Sequence, residues 1–227
     1  MINIAVAGSH GRMGKRIIAL AEKDEGIDVV SMFDVGTDAE PQISKCDVII
    51  EFTAPRATME HVRIAGKLKK GMVIGTTGLS GEQAGIIKKA AENIPVVMAP
   101  NMSVGVNLLF KLCQDAARVL PGDYKLEITE AHHVHKKDAP SGTAKKLAEL
   151  ISAERKEAFS DIPIESIREG EIIGEHKVVF RSQTERIELF HSAKTRDTFA
   201  AGAIKAAGFL SGKKSGLYTM RDVLGIN

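Results

Sequence analysis

Near its start the chain carries Ile2-Asn-Ile-Ala-Val-Ala-Gly-Ser-His-Gly-Arg-Met-Gly14, in which a short apolar run is followed by three glycines spaced three residues apart. An apolar run bounded by glycines predicts a buried strand, and residues 15–23 have the pattern of a helix. Glycines between a strand and a helix permit a tight turn and a close approach of the backbone to a bound group. This stretch therefore predicts the first strand, turn and helix of an α/β domain.

Strand and helix signals continue to alternate along the first hundred residues. Short apolar runs occupy 27–33, 46–52, 72–74 and 94–98, with helix-like segments between them. Such alternation predicts a parallel sheet covered by helices on both faces and joined by right-handed crossovers. Ligands of such a sheet bind beyond the carboxyl ends of its strands, so functional residues are expected just after each strand.

The glycine loop, residues 8–14, resembles the Rossmann dinucleotide fingerprint, although its Gly-x-x-Gly-x-x-Gly spacing departs from the common pattern. Asp34 follows the last glycine of the loop by twenty residues, where the fingerprint expects a carboxylate that binds the adenosine ribose. Val35 offers no cation to a 2′-phosphate, so NADH is favoured. Arg12, within the loop, keeps NADPH open.

The third, fourth and fifth predicted strands end in residues that are mostly small or hydroxylated. Small side chains let main-chain groups approach a nicotinamide ribose and carboxamide, which bulky side chains would prevent. The residues expected to contact the cofactor are Gly8, Gly11, Arg12, Met13, Gly14, Asp34, Phe52, Thr53, Gly75, Thr76, Thr77, Pro100, Asn101 and Met102.

The second half of the chain has a different pattern. After a helix-like stretch over 106–120, helices become fewer and strand-like segments follow at 171–173, 177–180 and 186–192. This pattern predicts a mixed or antiparallel sheet in a second domain. The last apolar helix, over 198–210, is expected to return to the first domain.

The predicted fold is therefore α/β, a Rossmann-type doubly wound parallel sheet with a smaller α+β domain. Residues 1–103 and 197–227 are expected to form the dinucleotide-binding domain. Residues 104–196 are expected to form a domain for substrate binding and oligomerisation.

A second dense stretch is Glu130-Ala-His-His-Val-His-Lys-Lys-Asp-Ala-Pro-Ser-Gly-Thr-Ala144, which begins at the end of an alternating, strand-like segment. It ends where hydroxyl residues precede a helical run, as an N-cap does, and backbone N–H groups at such a start bind anions. Lys136 or Lys137 would balance the charge of a bound carboxylate. The stretch predicts an active site for a small dianion.

Two plainer interpretations compete with that prediction. Three imidazoles could bind a metal, but neighbouring residues of a strand point to opposite faces and the adjacent lysines repel cations. We therefore expect no metal. A solvated basic loop is the other alternative, because polar loops are common.

The overall composition narrows the function. With 44% hydrophobic residues and a net charge of +2 spread over mixed signs, the 227-residue chain is expected to fold without a nucleic-acid surface, and it has only two Tyr and no Trp for base stacking. No apolar stretch is long enough for a membrane span, and the strand pattern begins at once without a basic and apolar leader, so neither membrane insertion nor secretion is expected. Cys46 and Cys113, without metal-type spacing, fit a reducing cytoplasm.

Taken together, these motifs resemble the dihydrodipicolinate reductase family of the diaminopimelate route to lysine. The resemblance also covers 101–107, Gly174-Glu-His176 and 199–203. It implies that a hydride from NADH or NADPH reduces a cyclic dicarboxylate imine, 4-hydroxy-tetrahydrodipicolinate, to tetrahydrodipicolinate, followed by protonation. The stretch before Glu171 is shorter than in longer family members.

The resemblance also implies roles for single residues. His132 corresponds to the proton donor and Lys136 to a second catalytic or substrate-holding cation, and a dianionic substrate would favour protonated histidine near neutral pH. A homotetramer joined through the substrate-domain sheets is implied as well. The residues that would hold a substrate carboxylate are His133, Ser141, Gly142 and Thr143.

Three alternatives stay open at this point. The proton donor is either His132 or Lys136. The chain could be another NAD(P)-dependent reductase of an amino or keto dicarboxylate, because a Rossmann loop does not determine the substrate. It could also be a non-catalytic NAD(H) sensor, which would need no general acid.

Overall fold

A computed structural model of the chain describes residues 1–156 and 158–226. The chain divides into two compact units, the first formed by Met1–Val104 with Arg196–Asn227 and the second by Gly105–Thr195. The assignment of cofactor to the first unit and of substrate and oligomerisation to the second stays a prediction.

The described residues form strands and helices that alternate through the first hundred positions. The strands are β1 Ile2–Ala7, β2 Ile27–Phe33, β3 Val48–Glu51, β4 Gly71–Ile74, β5 Pro95–Met98, β6 Lys125–His132, β7 Ile164–Arg168, β8 Glu175–Arg181, β9 Arg186–Ser192 and β10 Gly216–Tyr218. The helices are α1 Arg12–Ala21, α2 Ala39–Ser44, α3 Pro55–Leu68, α4 Gly81–Ala90, α5 Val104–Val119, α6 Gly142–Arg155, α7 Asp197–Leu210 and α8 Met220–Leu224.

The first unit contains a parallel sheet with the strand order β10-β5-β4-β3-β1-β2. Alternate residues of β1 enter different cores: Ile4 and Val6 pack with α1, α7 and α8, whereas Ala5 and Ala7 pack with α2, α3 and α4. Burial on both faces explains why these strands read as continuous apolar runs. The predicted Rossmann-type, doubly wound sheet is confirmed.

The strand order reverses direction at β1. The chain passes from β1 to β2 on one side and then returns to β3 on the other side of β1. In doubly wound sheets this switch point is where ligands bind, beyond the carboxyl ends of the two strands. The glycine loop follows β1, and Phe52 and Thr53 follow β3.

The second unit contains a mixed sheet with the order β7-β6-β8-β9, in which β6 runs parallel to β7 and antiparallel to β8. Helices α5 and α6 cover one face, packing on residues such as Leu126, Ile128, Val178 and Phe180. The predicted mixed sheet is confirmed. The cover is one-sided, which explains the alternating pattern of β6.

Three local predictions differ from the structure. The segment 171–173 was expected to be a strand, which is wrong: it belongs to a turn and loop that follow Gly170, whose φ is +49°. Strand β7 was not anticipated, because its sequence, Ile164-Glu-Ser-Ile-Arg168, offers little alternation. Strand β10 was missed because it is only three residues long.

Two absences concern the described residues only. No helix between 1 and 156 or between 158 and 226 is both long and apolar enough to cross a membrane. Over the same residues, no group of three or more His, Cys, Asp or Glu side chains is arranged to hold a metal ion.

Candidate functional site

The glycine loop owes its shape to two close backbone contacts. Gly8 has a φ of +77°, and a Cβ added there would lie 2.7 Å from the carbonyl oxygen of Phe52. A Cβ on Gly14 would lie 2.2 Å from the carbonyl oxygen of Gly8, so helix α1 packs directly on the loop. Gly11 is the N-cap of α1 and has no side chain to cover the first turn. The backbone N–H groups of that turn therefore suit a pyrophosphate.

Asp34 lies immediately after β2 and is held by the backbone around it. Its carboxylate oxygens accept hydrogen bonds from the N–H groups of Val35, at 2.8 Å, and His10, at 3.0 Å. These two bonds lower the pKa of Asp34 below its usual range, so the side chain is a carboxylate at neutral pH. Each oxygen keeps a second lone pair for a ribose hydroxyl.

Beneath the ends of β3 and β4 lies a hydroxyl network. The Thr76 hydroxyl accepts from the Thr53 backbone N–H at 3.2 Å and from the Thr58 hydroxyl at 3.0 Å. The Thr53 hydroxyl donates to the carboxylate of Glu51, which is fully buried. The predicted cofactor residues Thr53 and Thr76 are thus brought together, whereas Thr77 is exposed.

Glu51 is also paired with a buried histidine that sequence reasoning missed. His61 Nδ1 lies 2.6 Å from Glu51 Oε2, and the His61 ring meets the ring of Phe33 edge-on with centroids 5.2 Å apart. Phe33 directly precedes Asp34. A buried carboxylate needs such partners, because an unpaired one is costly to desolvate. The Glu51–His61 pair therefore stabilises the strand ends that carry the predicted cofactor residues.

The remaining predicted cofactor residues differ in exposure. The ring of Phe52 lies over Gly75, where an added Cβ would be 2.2 Å from the ring. The side-chain oxygen of Asn101, which is half-buried, accepts from the N–H of Ser103 at 2.9 Å. Met102 is in the core, and its carbonyl oxygen would lie 1.8 Å from a Cβ on Gly202 of α7. Met102 therefore has no exposed side chain to offer.

In the second unit, one face of the sheet changes from apolar to polar at its end. Leu126 and Ile128 of β6 point into the core, and the alternation continues inward with Glu130 and His132. Because the side-chain period of a strand is two, these four residues share a face. Glu130 pairs in register with Ser166 on β7 and His176 on β8. A polar row thus follows the apolar rows.

Glu130 is the centre of the polar row, and its side chain has no exposed surface. Its Oε1 accepts from Arg168 at 2.8 Å and from the backbone N–H of Ser141 at 3.1 Å. Its Oε2 accepts from a second Arg168 nitrogen at 3.1 Å. Burial by itself would raise the pKa of Glu130, but the hydrogen bonds from Arg168 and His132, together with the nearby Ser166 hydroxyl, outweigh it and lower that pKa to about 2.

His132 is the last residue of β6 and is buried. Its Nδ1 lies 2.5 Å from Glu130 Oε2, and because Glu130 is ionised, Nδ1 carries the proton. Nε2 is left as the acceptor of the neutral ring. A Cβ on Gly174 would lie 3.2 Å from that nitrogen, so the glycine keeps the space beside it clear. Burial lowers the pKa of His132 despite the Glu130 partner, so the ring is neutral at pH 7.

Lys136 is close to the same group of charges. Its ammonium lies 2.8 Å from Asp138 Oδ1, and about a quarter of the side chain is exposed (23%). Arg168 donates to the carbonyl oxygen of Asp138 at 2.5 Å, which ties the loop after β6 to β7. The loop that carries Lys136 is therefore also bonded to Arg168, the partner of the buried Glu130.

The predicted N-cap at the end of this stretch is confirmed as Ser141. Its hydroxyl accepts from the N–H of Ala144 at 3.2 Å, and helix α6 begins at Gly142. Thr143 is buried in the first turn, and the His133 ring lies beside that of His135 with centroids 6.1 Å apart. Thus His133, Ser141, Gly142 and Thr143 belong to the same loop and helix start.

Sequence reasoning missed the partners that hold His132. Glu130 stood at an inward position of an alternating strand, which is a signal for a buried, paired carboxylate. Gly174 and His176 were noticed only as part of a family motif. Arg168 had no sequence signal, since its strand was not predicted.

We predict that the protein loses stability in acid from pH 6.5 downward. Burial, helped by the neighbouring His132, lowers the pKa of His176 to about 3. In the unfolded chain this histidine binds a proton near pH 6.5, whereas in the folded protein it stays neutral down to about pH 3. The free energy of unfolding is therefore highest above pH 6.5 and falls as the pH drops towards 3. The measurement is the unfolding midpoint temperature between pH 7.5 and 5. In His176→Phe the midpoint temperature should fall less steeply with decreasing pH than in wild type. An equally steep fall would contradict the prediction.

Comparison with known proteins places both units in one family. Residues 2–102 match the family model described as "Dihydrodipicolinate reductase, N-terminus" and residues 105–224 match "Dihydrodipicolinate reductase, C-terminus". The 4-hydroxy-tetrahydrodipicolinate reductase of Nitrosomonas europaea is 41% identical over 264 residues, covering 99% of this chain and 98% of the relative. The one from Geotalea uraniireducens is 39% identical over 266 residues, with all of both chains covered (100% each).

A solved structure agrees with these matches. The dipicolinate-bound dihydrodipicolinate reductase from Paenisporosarcina sp. TG-14 has a TM-score of 0.85 and 26% identity, and the match covers 98% of each chain. An amine dehydrogenase from Mycobacterium smegmatis, with 10% identity and a TM-score of 0.67, shares the fold alone. The two sequence alignments are longer than the chain's 227 residues, so the relatives carry insertions that this chain lacks.

Proposed function

The chain belongs to the dihydrodipicolinate reductase family, and on that premise we propose that it reduces 4-hydroxy-tetrahydrodipicolinate, with loss of its hydroxyl as water, to tetrahydrodipicolinate in lysine biosynthesis, with residues 130–144 as its dicarboxylate and proton site. The observation that carries the proposal is the buried contact between His132 and Glu130, with Arg168 locking the carboxylate. A solvated loop, the alternative interpretation of this stretch, would not bury a histidine–carboxylate pair of this kind. It is the arrangement that orients a histidine for proton transfer.

The residues of the first unit suit a dinucleotide. Gly8 and Gly14 leave backbone space that a Cβ would fill, and the N-terminus of α1 suits a pyrophosphate. Asp34 offers free lone pairs to a ribose diol. When bound, a reduced nicotinamide dinucleotide supplies the hydride.

We propose His132 as the proton donor. In the free protein its Nε2 is an acceptor, so donation requires the imidazolium form. A bound dianion raises the pKa of a neighbouring histidine, and the Glu130 carboxylate on Nδ1 stabilises the charged ring. Proton transfer then occurs from Nε2, beside Gly174, while Glu130 fixes the ring orientation.

Lys136 is proposed to hold substrate rather than to protonate it. Its ammonium is already paired with a half-exposed Asp138, a partner that a substrate carboxylate can replace. A second carboxylate would meet Ser141, Gly142 and Thr143 at the start of α6, and His133 is proposed to help hold it. Lys136 and the N-terminus of α6 would thus each bind one of the two carboxylates.

The test of the function is substrate-dependent loss of NADH absorbance by the purified protein. The substrate is unstable, so it is formed in place from aspartate semialdehyde, pyruvate and the preceding synthase, with NADPH run in parallel. Oxidation that requires the synthase product supports the proposal. A folded protein that binds NADH but oxidises none would contradict it and favour the sensor alternative.

NADH is the proposed preferred cofactor, and Asp34 is the residue tested. We expect kcat/KM to be higher with NADH than with NADPH, because Asp34 binds the ribose diol and repels a 2′-phosphate. Asp34→Ala should lower kcat/KM with NADH about tenfold, which corresponds to about 1.4 kcal/mol. It should also bring the NADH and NADPH values of kcat/KM closer together. Asp38→Ala, which removes a carboxylate four residues away, is the control and should preserve the ratio.

Assembly and location are proposals as well. We propose a homotetramer joined through the sheets of the second unit. Its molar mass is to be measured by light scattering as the purified protein leaves a size-exclusion column. We also propose a reducing cytoplasm, because Cys46 and Cys113 are both free and buried.

A further inference from the structure

His176 lies at the junction of the His132 site and the start of α6. Its Nε2 is 3.2 Å from the hydroxyl oxygen of Ser141, and its ring meets that of His132 edge-on, with centroids 5.3 Å apart. It is opposite Glu130 in the sheet register and is buried. This position lets it act on Ser141 without touching a ligand.

The protonation of His176 follows from its surroundings. Burial lowers its pKa to about 3, so at neutral pH the ring carries a single proton. Nε2 faces Ser141, whereas the buried Nδ1 meets no hydrogen-bond partner among residues 1–156 and 158–226. A buried N–H without an acceptor is rarer than a buried acceptor without a donor. The proton is therefore on Nε2.

That tautomer determines what the Ser141 hydroxyl can do. The hydroxyl oxygen already accepts from the N–H of Ala144 at 3.2 Å, and it now accepts from His176 as well. Both of its lone pairs are used. Its one remaining hydrogen-bonding capacity is its own proton, which is free to be donated outward. With the proton on Nδ1 instead, the Ser141 hydroxyl would donate its own proton to His176 Nε2.

We propose that His176 is a positioning residue that makes Ser141 an obligate hydrogen-bond donor, so that the start of α6 accepts a carboxylate and rejects a ligand group that can only donate. This inference rests on the proposed function, in which Ser141 binds a substrate carboxylate. His176 itself touches neither substrate nor cofactor. Its effect on binding passes entirely through the hydroxyl of Ser141.

The test uses pyridine-2,6-dicarboxylate as probe, titrated calorimetrically into the NADH-bound protein. His176→Phe keeps an aromatic ring, slightly larger than imidazole, and removes the donor. It should raise the Kd about tenfold, because the Ser141 hydroxyl is no longer held with its proton towards the ligand. His176→Gln puts an amide N–H where Nε2 was and should restore the Kd to within about threefold of wild type. Thermal melts establish that each variant is folded.

A double-mutant cycle isolates the route through Ser141. In the Ser141→Ala background, His176→Phe should change the Kd no further, because the hydroxyl it orients is gone. Equal losses in both backgrounds, or no rescue by glutamine, would overturn the inference, and so would an unchanged Kd in folded His176→Phe. If wild type neither binds the probe nor oxidises NADH with substrate, the proposed function itself fails.

Discussion

Replacement of His132 by asparagine should lower kcat by about 10²–10⁴-fold while leaving the Kd for NADH unchanged. The asparagine amide can still donate to Glu130 from roughly the position of Nδ1, so the buried carboxylate keeps that hydrogen bond as well as those from Arg168 and Ser141. What the variant loses is Nε2, the atom proposed to deliver the proton. Alanine would remove both functions at once, including one hydrogen bond to the buried Glu130 carboxylate, and would confuse an effect on catalysis with an effect on folding.

The matched control is His135→Asn, in the same stretch. The His135 side chain is 77% exposed, with a Glu171 oxygen 4.0 Å away and the His133 ring at 6.1 Å between centroids. Its replacement should leave kcat and KM unchanged. Lys136→Met should instead act mainly on KM, because we assign it to substrate binding. If kcat survives in His132→Asn and collapses in Lys136→Met, the two roles must be exchanged.

Gly14→Ala should weaken NADH binding by about 10²-fold, a loss of the size that a displacement of 1 Å can cause. The added methyl would lie 2.2 Å from the Gly8 carbonyl oxygen and 2.7 Å from Ser9 Cα, both of them backbone atoms that cannot rotate away. Helix α1 must therefore move off the glycine loop. Its first turn would then no longer point its N–H groups at the proposed pyrophosphate position.

The control for Gly14→Ala is the same change at Gly85, within α4. A Cβ there meets no heavy atom within 4 Å, so the substitution should raise helix stability by about 0.4–1 kcal/mol and leave the Kd for NADH unchanged. Calorimetric titration of NADH measures both variants, with thermal melts alongside. Equal NADH affinities for Gly14→Ala and wild type would show that the loop does not bind the cofactor.

Features that depend on local sterics could be predicted from the sequence. The glycine loop and the Ser141 cap are short-range structures, in which one residue type satisfies one backbone requirement. The doubly wound sheet also followed, because burial on both faces produces continuous apolar runs. For these elements the chemistry of each segment suffices.

Features that depend on pairing between distant strands could not be predicted in the same way. Arg168 reaches Glu130 only because β7 pairs in parallel with β6, and nothing local in its short strand indicates that pairing. Met102 is a second case: it follows a strand end, but α7 covers its side chain through the close approach of Gly202, so its predicted cofactor contact would fall to its main chain. Tertiary packing decided both cases.

The most direct test of the proposed site is the protonation state of His132, followed by nitrogen NMR of histidine-labelled protein with and without pyridine-2,6-dicarboxylate. In the free protein we predict a neutral ring at pH 7 with its proton on Nδ1, facing Glu130, and a pKa below the ordinary value of about 6.5. Binding of the dianion should raise that pKa, so that the ring becomes charged near neutral pH. A proton on Nε2 in the free protein, or a pKa that the dianion leaves unchanged, would contradict the account.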